Sequence, residues 1–218
     1  MHSHLSEFLL LAFAHLMAVA SPGPDFAIVL RQSLVSGRRA ALLTSLGIGT
    51  AILVHVTYSL LGIGVMIQSS DTAFAVVKWA GALYLLWLAW QGLRARPAID
   101  DGADPAALPN PGRGTRHAFV TGFLTNVLNP KATLFFLAVF SVGVSPQTPR
   151  LIVACYGLWM AVVTAAWFCL VSIFFTQESA VARFRRNAHW IDRITGLVLI
   201  LFAVKLVLAE RMGAPFGG

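Results

Sequence analysis

The sequence predicts an all-α polytopic membrane protein of six transmembrane helices, arranged as two inverted three-helix repeats with helices 1 and 4 broken at prolines. Three observations predict it. The chain is 57% hydrophobic and only 11% charged, where soluble domains carry about 25% charged residues. Long apolar runs recur along all 218 residues, each near the roughly 20 residues that cross a bilayer. The first and fourth runs are interrupted by prolines with an ionisable residue alongside: Pro22-Gly23-Pro24-Asp25 and Asn129-Pro130-Lys131.

The elements follow in order. Segment one spans about 5–31 and meets no basic residue before Arg31. Proline in a helix interior removes a hydrogen bond and clashes with the preceding turn, so this segment breaks at Pro22-Gly23-Pro24. In hydrocarbon the freed backbone groups need protein or a water-lined cavity. Segments two and three span about 40–68 and 73–93. The connection from about 95 to 116 holds four prolines and three aspartates and reads as a polar loop. Segment four, about 117–143, carries the second break; segments five and six span about 150–175 and 190–210. The whole chain is one transmembrane domain, with repeat one over about 5–93 and repeat two over about 117–210.

Basic residues set the orientation. Arg31, Arg38, Arg39, Arg94, Arg96, Arg113, Arg116, Arg183, Arg185, Arg186 and Arg193 fall in the odd-numbered connections, against Lys78, Arg150 and Arg211 on the other side. The positive-inside rule places the odd loops in the cytoplasm and both termini outside. The net charge of +7 is therefore a topology signal rather than a nucleic-acid footprint, which needs a basic soluble face. Ala18-Val19-Ala20-Ser21 resembles a signal-peptide cleavage site, but no Lys or Arg precedes the apolar stretch, and the segment is read as retained.

Ionisable groups at membrane depth are costly and usually functional. Asp25 follows the first break and either caps the second half-helix or holds an ammonium group or a proton. The free N–H groups of a half-helix beginning there would attract a carboxylate. Lys131 lies well inside segment four and needs a partner or water; it neutralises Asp25, binds a substrate carboxylate, or is a structural lysine that snorkels outward. Asn126 and Asn129 add amide donors and acceptors beside it. His55 is a proton relay or an interhelical hydrogen-bonder, and His15 more plainly the latter. Gly47 and Gly49, like Gly62 and Gly64, permit close helix approach. Trp79, Tyr84, Trp87 and Trp90 are packing or interface aromatics, with a cation–π contact to a substrate ammonium as the alternative. Asp71 and Lys78 read as interfacial charges, and Lys205 as a lysine reaching out to the interface.

The order of these motifs resembles the LysE/RhtB family of amino-acid exporters nearly end to end. The resemblance is carried by Ser21-Pro22-Gly23-Pro24-Asp25, by Gly37-Arg38-Arg39-Ala40-Ala41, by Leu46-Gly47-Ile48-Gly49 with His55, by Lys78-Trp79-Ala80-Gly81-Ala82-Leu83-Tyr84, and by Thr121-Gly122-Phe123-Leu124-Thr125-Asn126-Val127-Leu128-Asn129-Pro130-Lys131. It implies a multi-pass protein of the bacterial inner membrane that exports amino acids or close derivatives, driven by protons, as a homodimer. Its partners would be an amino-acid substrate, the coupling proton and membrane lipid, without nucleic acid. The expected substrate and ion site is Pro22, Gly23, Pro24, Asp25, His55, Asn126, Asn129, Pro130 and Lys131. No cofactor is expected and no catalytic residue.

Two other classes compete. A metal-cation exporter wants soft ligands, and no Cys/His cluster is visible. An intramembrane redox protein needs two cysteines that meet. Cys155 and Cys169 lie fourteen residues apart on one segment, about 21 Å along a helix, beyond the roughly 7 Å a disulfide spans. No metalloprotease or nucleophile-elbow motif is present, so an enzyme is not expected.

Overall fold

A computed structural model of the chain describes residues 2–69, 71–95, 114–145, 147–174 and 178–208. These residues form eight α-helices, one π-helical turn and no strand. In chain order they are α1 (His2–Ala20), α2 (Pro24–Arg31), the π turn (Gln32–Ser36), α3 (Arg38–Ser69), α4 (Asp71–Leu93), α5 (Thr115–Val127), α6 (Pro130–Gly143), α7 (Arg150–Phe174) and α8 (Glu178–Leu208).

Both expected breaks are present. The α1–α2 pair bends by 52° and the α5–α6 pair by 56°. In each, a proline occupies the first helical turn, where its missing N–H costs nothing. Most sequence boundaries agree with the helices to within about two residues. Segment six differs: α8 begins at Glu178 rather than near 190, so Arg193 is not a loop residue but lies inside a helix. The basic stretch before it is helical because Glu, Arg and Ala favour helix, a preference that a hydropathy reading does not register. The π turn was also not anticipated. It ends at Gly37, whose φ of +85° and ψ of 168° lie in a region essentially reserved for glycine.

Two helical stretches, Arg38–Leu61 within α3 and the whole of α7, are long and apolar enough to cross a membrane, and each bent pair passes the same test as one broken span. Length and composition thus support two to four spans among the described residues. The outer surface is apolar: Leu151 is 76% exposed, Leu128 74%, Phe174 67% and Leu201 66%. Soluble proteins rarely expose such a continuous apolar surface.

Close crossings hold the bundle. A methyl group at Gly47 would strike the Phe119 carbonyl of α5, and one at Gly122 would strike the Thr44 carbonyl of α3. Thr44 Oγ1 donates across this crossing to the Ala118 carbonyl at 3.0 Å. Gly49 makes the corresponding approach to Ala161 and Ala165 of α7. Gly92 and Gly196 do the same where α4 meets α8. The main core joins α1, α3, α4, α6, α7 and α8, with Leu11, Leu85, Val139, Phe140, Met160 and Phe202 nearly or fully buried. The expectations for Gly62, Gly64, Asp71, Lys78 and Lys205 concern side chains outside the described residues, as does the connection 96–113.

Candidate functional site

The two breaks face each other. The first half-helix pair places Gly23 at the N-cap of α2, Pro24 at its first position and Asp25 next. The second places Asn129 at the N-cap of α6, followed by Pro130 and Lys131. The registers match, so the acid and the base occupy equivalent positions of opposed breaks.

Asp25 is not the cap of its half-helix, since that position is taken by Gly23, which makes no side-chain capping bond. Its Oδ2 instead accepts from Asn126 Nδ2 at 2.9 Å and from Asn129 Nδ2 at 3.2 Å, while its Oδ1 has no hydrogen-bond partner. Asn129 has a double role: its Oδ1 also accepts from the Lys131 backbone N–H at 3.0 Å and caps α6. The amides of the second break thus hold the carboxylate of the first.

Lys131 does not pair with Asp25. Its ammonium donates to Ser21 Oγ at 2.8 Å, and Ser21 donates onward to Asp192 Oδ1 at 2.6 Å. Asp192 is a site residue that the sequence reading missed. It sits in α8 beside Arg193, in a stretch read as the edge of a basic loop. Its signal was an acid at helical spacing from Thr195, whose Oγ1 donates to the Met17 carbonyl at 3.0 Å just before the first break.

His55 is fully buried behind Asn126. Its Nε2 lies 3.0 Å from Asn126 Oδ1 and 3.1 Å from the Asn126 carbonyl oxygen. Its Nδ1 meets the Tyr58 hydroxyl, and its ring stacks on Phe136 at 5.4 Å and 8°. His15 approaches Phe136 from the other side, edge-on at 5.7 Å. Its Nε2 lies 2.9 Å from Thr164 Oγ1 and 3.2 Å from the Met160 carbonyl. It is the interhelical hydrogen-bonder expected. Trp79, Trp87 and Trp90 are each more than half exposed on α4 and do not line the site.

Between the breaks lies a cavity of about 60 Å³, as the space open to the centre of a water molecule. One water needs roughly 10–15 Å³ by that measure, so the space takes several waters or a small polar group. Asp25, Lys131, Ser21, Asn126 and Asn129 form its polar wall. Ile52, Phe135, Phe136, Phe168 and Leu199 form its apolar wall. Of the expected site residues, Gly23, Asp25, Asn126, Asn129 and Lys131 line it; Pro22, Pro24 and Pro130 shape the breaks, and His55 stands one layer behind. Among the described residues no three His, Cys, Asp or Glu side chains group as a metal site would require. Cys155 and Cys169 are free thiols.

The family model for the LysE type translocator matches residues 16–210. The threonine efflux protein of Escherichia coli K12 is 31% identical over 94% of this chain and all of the relative. The leucine efflux protein of Klebsiella pneumoniae is 29% identical over 87% of this chain and 89% of its own. The homoserine/homoserine lactone efflux protein of Salmonella typhimurium is 34% identical over 60% and 61%. No solved structure matches. A match across nearly the whole chain, on apolar helices broken twice at its centre, makes this a multi-pass membrane protein of the LysE type translocator family, a transporter rather than an enzyme.

Proposed function

We propose that the protein is a secondary exporter of neutral amino acids or their derivatives across the bacterial inner membrane, coupled to protons. The observation that carries this reading is the shared cavity wall: a carboxylate with an unpartnered oxygen and a lysine ammonium line one small space between two broken helices. Such a pair fits the ammonium and carboxylate of a zwitterion. The apolar wall of Ile52, Phe135 and Phe136 accommodates a side chain without charge. Relatives named for threonine, leucine and homoserine efflux support the substrate class.

In this reading Asp25 takes the ammonium group, Lys131 the carboxylate, and Asn126 and Asn129 hold Asp25 in place. His55 supports Asn126. Pro22, Gly23, Pro24 and Pro130 keep the half-helix ends open. The reading includes six spans in two inverted three-helix repeats, supported by the matched Pro24-Asp25 and Pro130-Lys131 registers; binding at the interface of such repeats is a common transporter design. Cytoplasmic odd-numbered loops, outer termini and a homodimer complete the proposal.

The test is efflux of labelled amino acids from preloaded cells with and without the protein, repeated with a protonophore and with Asp25→Asn and Lys131→Met. Faster loss of a few neutral amino acids, abolished by the protonophore and by either substitution, is the expected result. Wild-type export by both variants would remove the site; unchanged loss of every amino acid would remove the substrate class.

A further inference from the structure

Hydrogen positions around His55 follow from its neighbours. Asn126 turns its amide NH2 toward the Asp25 carboxylate at 2.9 Å, which fixes its Oδ1 toward His55. Both Asn126 atoms near His55 Nε2, the side-chain and main-chain oxygens, only accept. Nε2 therefore carries a hydrogen. On the opposite side of the ring, Nδ1 meets the Tyr58 hydroxyl, and that hydroxyl also lies 3.2 Å from the Thr133 carbonyl.

With a neutral imidazole, Nδ1 and the Thr133 carbonyl are both acceptors competing for the single phenol hydrogen. With an imidazolium, Nδ1–H donates to the phenol oxygen and the phenol donates on to Thr133. One added proton, on Nδ1, supplies each of the two phenol contacts with its own hydrogen.

The charges run the same way. Lys131 is engaged through Ser21 with Asp192. Asp25 receives two amides and no cation. A proton on Asp25 Oδ1 would have no acceptor, and one on Oδ2 would displace an amide. Besides Lys131, two cations can offset Asp25: an ammonium group in the cavity that Asp25 lines, and an imidazolium behind Asn126.

We propose that His55 carries the coupling proton, and that its imidazolium and the substrate ammonium alternate as the counter-charge of Asp25, with Asn126 linking the two. This rests on the reading of the cavity as an amino-acid site. Two cations competing for one carboxylate is the condition for exchange rather than co-transport. Among the described side chains, the other ionisable groups on elements packed against α3 are Asp25 and Arg31 on α2, Tyr84 on α4, Arg116 and His117 on α5, Lys131 on α6, and Arg150, Cys155, Tyr156 and Cys169 on α7. None of them hydrogen-bonds to the imidazole, whose side-chain partners are Asn126 and Tyr58.

The experiment is calorimetric binding of threonine, leucine and homoserine to the purified full-length protein between about pH 5.5 and 8.5, the range in which histidine changes charge. Wild-type affinity should rise with pH, approaching tenfold per unit where one proton is displaced per substrate. In His55→Gln, which keeps a donor toward Asn126 but cannot titrate, the change over the range should fall below about twofold. A wild-type slope in His55→Gln overturns the proposal. If that variant does not fold, Tyr58→Phe decides: loss of the phenol acceptor should shift the midpoint of the pH profile to the acid side, and an unmoved midpoint overturns the proposal. Absence of binding by the wild type at every pH refutes the amino-acid site itself, a failure distinct from a bound substrate with an unaltered slope.

Discussion

Ser21→Ala removes the one atom that joins Lys131 to Asp192. Two hydrogen bonds involving charged groups disappear, at 2.8 and 2.6 Å. Each is worth about 1.5–3 kcal/mol, so a rigid site would lose about 3–6 kcal/mol. The cavity of about 60 Å³ lets water reach the ammonium, which returns part of that loss. A net effect of about 2–3 kcal/mol is expected, or roughly 30- to 150-fold in transport kcat/KM. The assay is initial-rate transport of a labelled neutral amino acid in proteoliposomes. Ser33→Ala is the control: Ser33 is also buried, but its hydroxyl only bonds back to the Val29 carbonyl at 3.0 Å, and such local bonds contribute little to a helix. It should stay within about threefold of wild type. Combining Ser21→Ala with Asp192→Asn should cost less than the sum of the single changes, because both break one chain. Equal losses from Ser21→Ala and Ser33→Ala, or strict additivity with Asp192→Asn, would refute the linked chain.

Gly122→Ala should destabilise the fold by at least about 1–3 kcal/mol, since the new methyl meets the Thr44 backbone of α3; Gly114→Ala, with nothing within 4 Å, is its control in a thermal melt in detergent. Gln32→Leu should raise the melting temperature: Gln32 is 1% exposed and neither amide atom has a partner, so replacing it with an apolar group of similar size removes a cost of about 1–3 kcal/mol. Asn129→Ser retains a hydroxyl able to cap α6 but loses the amide donor to Asp25, so transport should fall about 10-fold or more while the melting temperature changes little.

The positions of the helices were legible because hydropathy and proline report them directly. Both breaks, the packing role of Gly47 and Gly49, and the convergence of Asp25, Asn126, Asn129 and Lys131 on one cavity were readable from segment order and motif. Pairing was not. Whether Lys131 turns to Asp25 or to Ser21 depends on the rotation of α6 about its axis, and that is set by distant contacts such as Phe136 between His15 and His55. Asp192 was hidden because it stands at the very start of segment six beside Arg193, which the charge count assigned to the preceding basic connection. The π turn was hidden for a different reason: Gln32–Ser36 has no composition that separates it from a continuing α-helix.

The matched breaks are not electrically equivalent. A half-helix start carries a partial positive charge and favours an anion. Asp25, at the second position of α2, sits where the dipole stabilises it. Lys131, at the same position of α6, sits where the dipole opposes it. Folding alone would place an acid or a neutral residue there. Two features offset the misplaced cation: Asn129 caps α6 from its own side chain, and Ser21 connects the ammonium to Asp192. Both supports lie within the fold, and the ammonium still lines the cavity. Asp25 lines the same cavity, and its Oδ1 has no hydrogen-bond partner. The two half-helices thus bring a carboxylate with an unpartnered oxygen and a cation placed against its helix dipole to the wall of one small cavity, the arrangement that the proposed zwitterionic substrate would use.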